Sequence, residues 1–132
     1  MKKIMSVTVA AMLLFSMPAS ADVAQVWRCT FNDVITDADG NEVAPNDALM
    51  AISEAWLEKA KEVDENVSVT ILWPVAANAE ENEYIWVFNM PSFAAWGAFQ
   101  DAYPGSDVAA VDEGWDNVGP CSVSGLWATQ DL

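Results

Sequence analysis

Few residues of this 132-residue chain are equipped for chemistry, and the absences narrow the choice first. There is no histidine, so a His-based triad, a His-ligated haem and the usual zinc sites lack their ligands. Arg28 sits inside the β-rich stretch Ala24 to Phe31 (AQVWRCTF), where Gln25, Trp27, Cys29 and Phe31 alternate onto one face. An arginine there must reach solvent or meet a carboxylate, because burying its charge alone is very unfavourable. It is either half of a structural ion pair or a clamp for an anionic ligand group. Asn89 ends an apolar segment, where it either donates to a ligand or serves the turn that follows. The aromatics Trp73, Tyr84, Trp86, Phe88, Trp96, Trp115 and Trp127 either wall a pocket for a flat apolar ligand or belong to the core and a subunit interface. Seven tryptophans in so short a chain weigh toward the pocket.

The acidic residues carry less information. Asp37-Ala38-Asp39-Gly40-Asn41-Glu42 resembles a calcium loop, but in EF-hand register from Asp37 the sixth position is Glu42 where glycine is needed. The twelfth is Ala48 where a bidentate glutamate belongs. A looser calcium site at Asp33, Asp37 and Asp39 is the alternative to a solvated turn. Asp112, Glu113 and Asp116, like Glu80, Glu81 and Glu83, read as solvated acidic faces. No glycine-rich phosphate loop, serine-nucleophile motif or metal-ligand set stands out, and the sequence calls for no cofactor.

The first residues read as a leader. Met1-Lys2-Lys3 is a basic start, Ile4 to Met17 is apolar, and Pro18-Ala19-Ser20-Ala21 offers small residues to a signal peptidase. Residues 1–21 are expected to be a signal peptide cleaved after Ala21, leaving residues 22–132 as one domain in the periplasm or outside the cell. The apolar run is short for a membrane span, so no membrane insertion is expected after cleavage. Losing Lys2 and Lys3 takes the net charge from −15 to −17. Such an acidic surface argues against nucleic acid, which binds cationic proteins. Export also gives the two cysteines a meaning. In an oxidising compartment Cys29 and Cys121 are expected to form a structural disulfide, since the C-x-x-C spacing of a redox pair is missing.

These residues need elements to position them. A strand from Ala24 to Phe31 is followed by a turn-rich stretch to Pro45. A helix over 46–63 comes next, with Asn46 as N-cap and Leu49, Ile52, Trp56, Ala60 and Val63 on its apolar stripe. Val67 to Val75 reads as a strand, Asn78 to Glu83 as a hairpin loop, and Tyr84 to Met90 as the most strongly apolar strand. Ser92 caps a second helix that Pro104-Gly105 ends. A short helix over 106–113 and a last strand, Cys121 to Thr129, complete the chain. The order β-α-β-β-α-β is the ferredoxin-like pattern: an antiparallel sheet with helices on one face. Its first and last strands are antiparallel neighbours, which brings Cys29 to Cys121. The second sheet face is also apolar, because Ile85 and Val87 oppose Tyr84, Trp86 and Phe88, and Leu72 opposes Val69, Ile71 and Trp73. A partner subunit or a ligand must cover it.

In element order and in the strand-then-helix segment YIWVFNMPSFAAWGAFQDAY, with Trp96 and Phe99 at W-x-x-F spacing, the chain resembles the dimeric α+β barrel superfamily that includes the antibiotic-biosynthesis monooxygenase-like proteins. The resemblance implies a homodimer built by docking two sheets. The haem-degrading branch uses an axial histidine, so that activity does not carry over. The cofactor-free oxygenase members imply an aromatic or apolar small-molecule ligand held by polar and aromatic groups in the barrel cavity. On that reading Arg28 orients an anionic group, Asn89 donates hydrogen bonds, and Trp73, Tyr84, Trp86, Phe88 and Trp96 supply walls. The other reading is a non-catalytic secreted interaction protein whose aromatic sheet face is a dimer or partner interface.

Overall fold

The computed structural model describes residues 22–75 and 82–129, so the expected leader, part of the Asn78–Glu83 loop and the last three residues lie outside the described chain. Four strands, β1 (Asp22–Thr30), β2 (Ser68–Leu72), β3 (Glu83–Met90) and β4 (Cys121–Thr129), form one antiparallel sheet in the order β2-β3-β1-β4. The helices α1 (Pro45–Val63), α2 (Phe93–Ala102), α3 (Asp107–Asp112) and α4 (Trp115–Val118) interleave as the ferredoxin-like pattern requires, with α3 and α4 added before the last strand. Opening residue Asp22 pairs with closing residue Thr129 on neighbouring strands.

Several boundaries differ from the sequence expectation, each for a local reason. The first helix begins at Pro45 with Ala44 in the cap position, and no side chain caps it, so Asn46 falls inside the first turn. Proline at the start lacks the N–H that a cap would satisfy, and its fixed φ suits the first helical position. The second strand is shorter than Val67 to Val75 because Trp73, Pro74 and Val75 lie beyond its last pairing, Leu72 with Ile85. Glu83, assigned to the loop from sequence, opens β3. The caps at Ser92 and Ser106 form, their hydroxyls accepting from the N–H groups of Ala95 and Ala109 at 3.1 and 3.2 Å.

The helix-covered face is fixed by β3. Tyr84, Trp86, Phe88 and Met90 are all buried on it, opposite Cys29, Trp27, Gln25 and Val23 of β1. From α1, Leu49, Ser53, Trp56 and Ala60 come down on this layer. Ser53 joins the stripe where Val63 was expected, and Val63 is exposed at the helix end. Trp56 is the hub, its ring 4.9 Å from Trp86 and 5.1 Å from Phe88 edge-to-face, and 5.9 Å from Phe99 of α2. Edge-to-face contacts of this kind add about 0.5–1.5 kcal/mol each beyond area burial. Cys29 and Cys121 face each other across β1 and β4 and are disulfide-bonded over a separation of 92 residues.

The opposite face carries Ala24, Val26, Ile85, Val87, Leu72 and Trp127, of which Leu72 and Trp127 are exposed. No helix covers it among the described residues. None of the described helices is long and apolar enough to cross a membrane.

Candidate functional site

A pocket of about 430 Å³ opens between the helix-covered sheet face and the helices of a single chain. From the sheet it takes Gln25, Trp27, Trp86, Phe88 and Cys121; from the helices, Trp56, Gln100, Asp112, Trp115 and Asp116; from connections, Tyr103, Gly119 and Pro120. The resemblance implied a cavity between two docked sheets. Here the space lies beneath the helices, beside the rings of Trp56, Trp86 and Trp115. Trp86 stands nearly perpendicular to both neighbours, at 86° to Trp56 and 76° to Trp115, with Trp115 5.4 Å away.

Several indole donors at these walls are engaged by the protein. The indole N–H of Trp86 donates to buried Ser53 Oγ at 3.2 Å. Trp115 donates to Tyr84 Oη at 3.1 Å, and Trp96 to Gln25 Oε1 at 3.1 Å. Tyr84 Oη also lies 3.9 Å from Cys121 Sγ, placing the disulfide in the pocket wall. Trp86 and Trp115 thereby commit their one donor to the protein and leave ring surface to the pocket.

Asp112 is one of two carboxylates at the pocket, with Asp116. It is half-buried, and Tyr103 donates its hydroxyl to Oδ2. Burial pushes the Asp112 carboxyl above the ordinary carboxylate value, and the Tyr103 hydrogen bond pulls it partly back. Tyr103 is pushed well above the usual phenol value, first by burial and then by its bond to Asp112. Tyr84 is raised by burial against the Trp115 hydrogen bond. Among the described residues no arginine or lysine lines the pocket.

The residues singled out from sequence divide sharply. Trp86 and Phe88 line the pocket, and Tyr84 and Trp96 stand one hydrogen bond behind it. Trp73 is displaced toward the strand end, 40% exposed and stacked 6.3 Å from Phe31. Arg28 and Asn89 point to the opposite sheet face. Arg28 Nε meets Glu83 Oε1 at 2.7 Å at an exposed position, and Asn89 donates to Thr70 Oγ1 at 3.3 Å. An anion clamp at Arg28 inside this pocket is therefore excluded by position, and Glu83 belongs to an ion pair.

Asp112 was missed because it follows an acidic pattern on paper. The pointer was its spacing: buried Val108, then Asp112, then Trp115 at four and three residues, which puts the carboxylate on the inward side of α3. Asp37 is instead committed to its own turn, its Oδ1 accepting from the N–H groups of Asp39 and Asn41 at 2.9 and 2.8 Å, with Asn41 holding its pKa down. Among the described residues no group of three or more His, Cys, Asp or Glu side chains is placed to hold a metal ion.

No family model and no curated protein matches this sequence. Among solved structures, the chain is similar to SnoaB, a cofactor-independent oxygenase from Streptomyces nogalater, at 14% identity and a TM-score of 0.57, over 86% of this chain and 97% of that one. A protein of unknown function from Rhodopseudomonas palustris aligns at 11% identity and a TM-score of 0.50, over 86% and 85% of the two chains. The chain shares their fold. At these identities the likeness extends to the α+β ferredoxin-like architecture and no further.

Proposed function

We propose that this chain is an exported small-molecule-binding protein of the α+β barrel kind that acts as a cofactor-independent, oxygenase-like enzyme on an aromatic or apolar substrate. The observation that carries the reading is the indole-walled pocket lined by two carboxylates, Asp112 and Asp116, with Tyr103 donating to the first. A pocket of this size suits a ligand of a few fused rings, and its mix of apolar walls and few polar groups is that of a small-molecule site. The fold shared with a cofactor-independent oxygenase supports the chemistry, and the disulfide supports export to an oxidising compartment.

In such a reaction the substrate supplies the electrons. A hydroxyarene gives up its hydroxyl hydrogen and one ring hydrogen, one atom of O₂ becomes a new ring carbonyl, and the other leaves as water. The protein then has three tasks: to hold the ring plane, to fix its polar substituent and to keep water out. The tryptophan rings do the first and third, and the Asp112–Tyr103 pair does the second. The interaction-protein reading has less support, because Tyr84, Trp86 and Phe88 are spent beneath the helices and do not form an outward interface. We also assign the open apolar face to a second copy of the chain, docked sheet to sheet.

Oxygen-electrode measurements with hydroxyarenes such as 1-naphthol test the activity. Uptake above the protein-free rate is expected, with KM raised about tenfold in Tyr103→Phe through loss of one hydrogen bond at the site. Arg28→Ala, on the other face, should leave both constants unchanged. Uptake no faster than without protein across a panel of hydroxyarenes would remove the oxygenase reading and leave the binding reading to titration.

A further inference from the structure

We infer that the pocket selects a positively charged ligand, an aromatic compound bearing a protonated amine, with Asp112 as its counter-ion and the tryptophan faces as its cage. This deepens the small-molecule reading of the pocket and rests on it, but it does not depend on the oxygen chemistry.

Three observations converge. First, Asp112 lines the pocket and its carboxylate accepts the Tyr103 hydroxyl, an arrangement that suits the ionised form. Second, that charge has no cationic neighbour among the described residues. Of the described basic side chains, Arg28 pairs with Glu83 on the far face and Lys59 with Glu62 on α1, and Lys61 is exposed and does not line the pocket. A half-buried carboxylate without a counter-ion is costly to the fold and is neutralised by whatever cation enters. Third, Trp56, Trp86 and Trp115 meet at two near-perpendicular corners. Rings at such corners present π faces from different directions, the arrangement in which aromatic cages hold ammonium groups. Asp116 at the same pocket adds negative potential, and the chain as a whole is strongly acidic, which steers cations inward. An anionic ligand would meet two carboxylates and no positive group.

An isosteric series read by isothermal titration calorimetry on the purified, disulfide-bonded protein decides the matter: tryptamine (cation), tryptophol (neutral) and indole-3-propionate (anion). Tryptamine is expected to bind about tenfold or more tighter than tryptophol, as a desolvated cation–π contact plus a charge pair would give, and indole-3-propionate not measurably. The preference should survive 0.5 M NaCl, roughly a concentration at which exposed charges are screened. Asp112→Asn should bring tryptamine down to the affinity of tryptophol. Should that variant fold poorly, the wild-type series at high salt still decides. Tryptophol binding with no advantage for tryptamine, or an advantage lost in salt or kept in Asp112→Asn, overturns the inference while the pocket stands. Failure of all three probes to bind overturns the pocket reading and the inference together.

Discussion

Asp112 is paid for by the fold and used by the pocket, and the two roles separate experimentally. Its carboxyl titrates above the usual 3.8 because burial disfavours the charge. A raised carboxyl lowers stability only once it ionises, so the cost is absent below about pH 4 and complete above the raised value. Asparagine keeps an oxygen for Tyr103 and removes the charge. Thermal melts should therefore show Asp112→Asn gaining on the wild type as pH rises from 4 to 7, while its cation binding falls. A gain that shrinks with pH would contradict the burial argument. Trp56 is a different kind of residue, buried and in contact with Trp86, Phe88 and Phe99. Trp56→Ala should cost about 3–5 kcal/mol in denaturant unfolding, as large aromatic truncations do. At this scale the sequence was half legible. Trp86 and Phe88 were readable as pocket walls because strand alternation assigns a face from sequence alone. Asp112 was hidden, since its orientation depends on where a six-residue helix docks, which no short pattern specifies.

The elements were readable nearly in full, because strand alternation, helical spacing and serine caps are local signals. What escaped is α4 and the return to the sheet: α3, expected over 106–113, breaks at Glu113-Gly114, and the chain comes back through Gly119-Pro120. Gly119 is the tightest point of that return. A β-carbon there would lie 1.8 Å from the Thr30 carbonyl oxygen, and backbone bonds from Thr30 to Pro120 and from Asn32 to Val118 at 3.1 and 2.9 Å hold the crossing in place. Gly119→Ala must push backbone apart and should destabilise by about 3 kcal/mol, a large value for one methyl group. The same crossing sits beside the Cys29–Cys121 bond, whose reduction opens a loop of more than 90 residues. The chain-entropy estimate for such a loop is about 4–5 kcal/mol as an upper figure. Chemical unfolding with and without reductant measures it, and pocket binding should weaken in parallel because Cys121 forms part of the wall.

For the molecule as a whole, the open sheet face is the outstanding question of assembly. Leu72 and Trp127 are 49% and 59% exposed on that face, opposite the one the helices cover. Sedimentation should give a dimer for the wild type, and Leu72→Glu with Trp127→Glu should give a folded monomer by putting charge into the centre of the contact. A wild-type monomer would leave the second face to another partner. The β-α-β-β-α-β order and the disulfide followed from sequence because both are matters of connectivity. The location of the pocket did not, because it depends on how the helix layer docks on the strands.

The pairing of Asp22 with Thr129 has a use of its own. Since β1 begins beside the end of β4, a short bridge between those two strand ends would close the fold into a ring. New ends opened at the exposed Asp39-Gly40 turn would then leave every strand pairing and the indole pocket uncut. Such a permuted protein should bind the same amines as the parent, and its free ends would give a place to attach a surface or reporter far from the ligand.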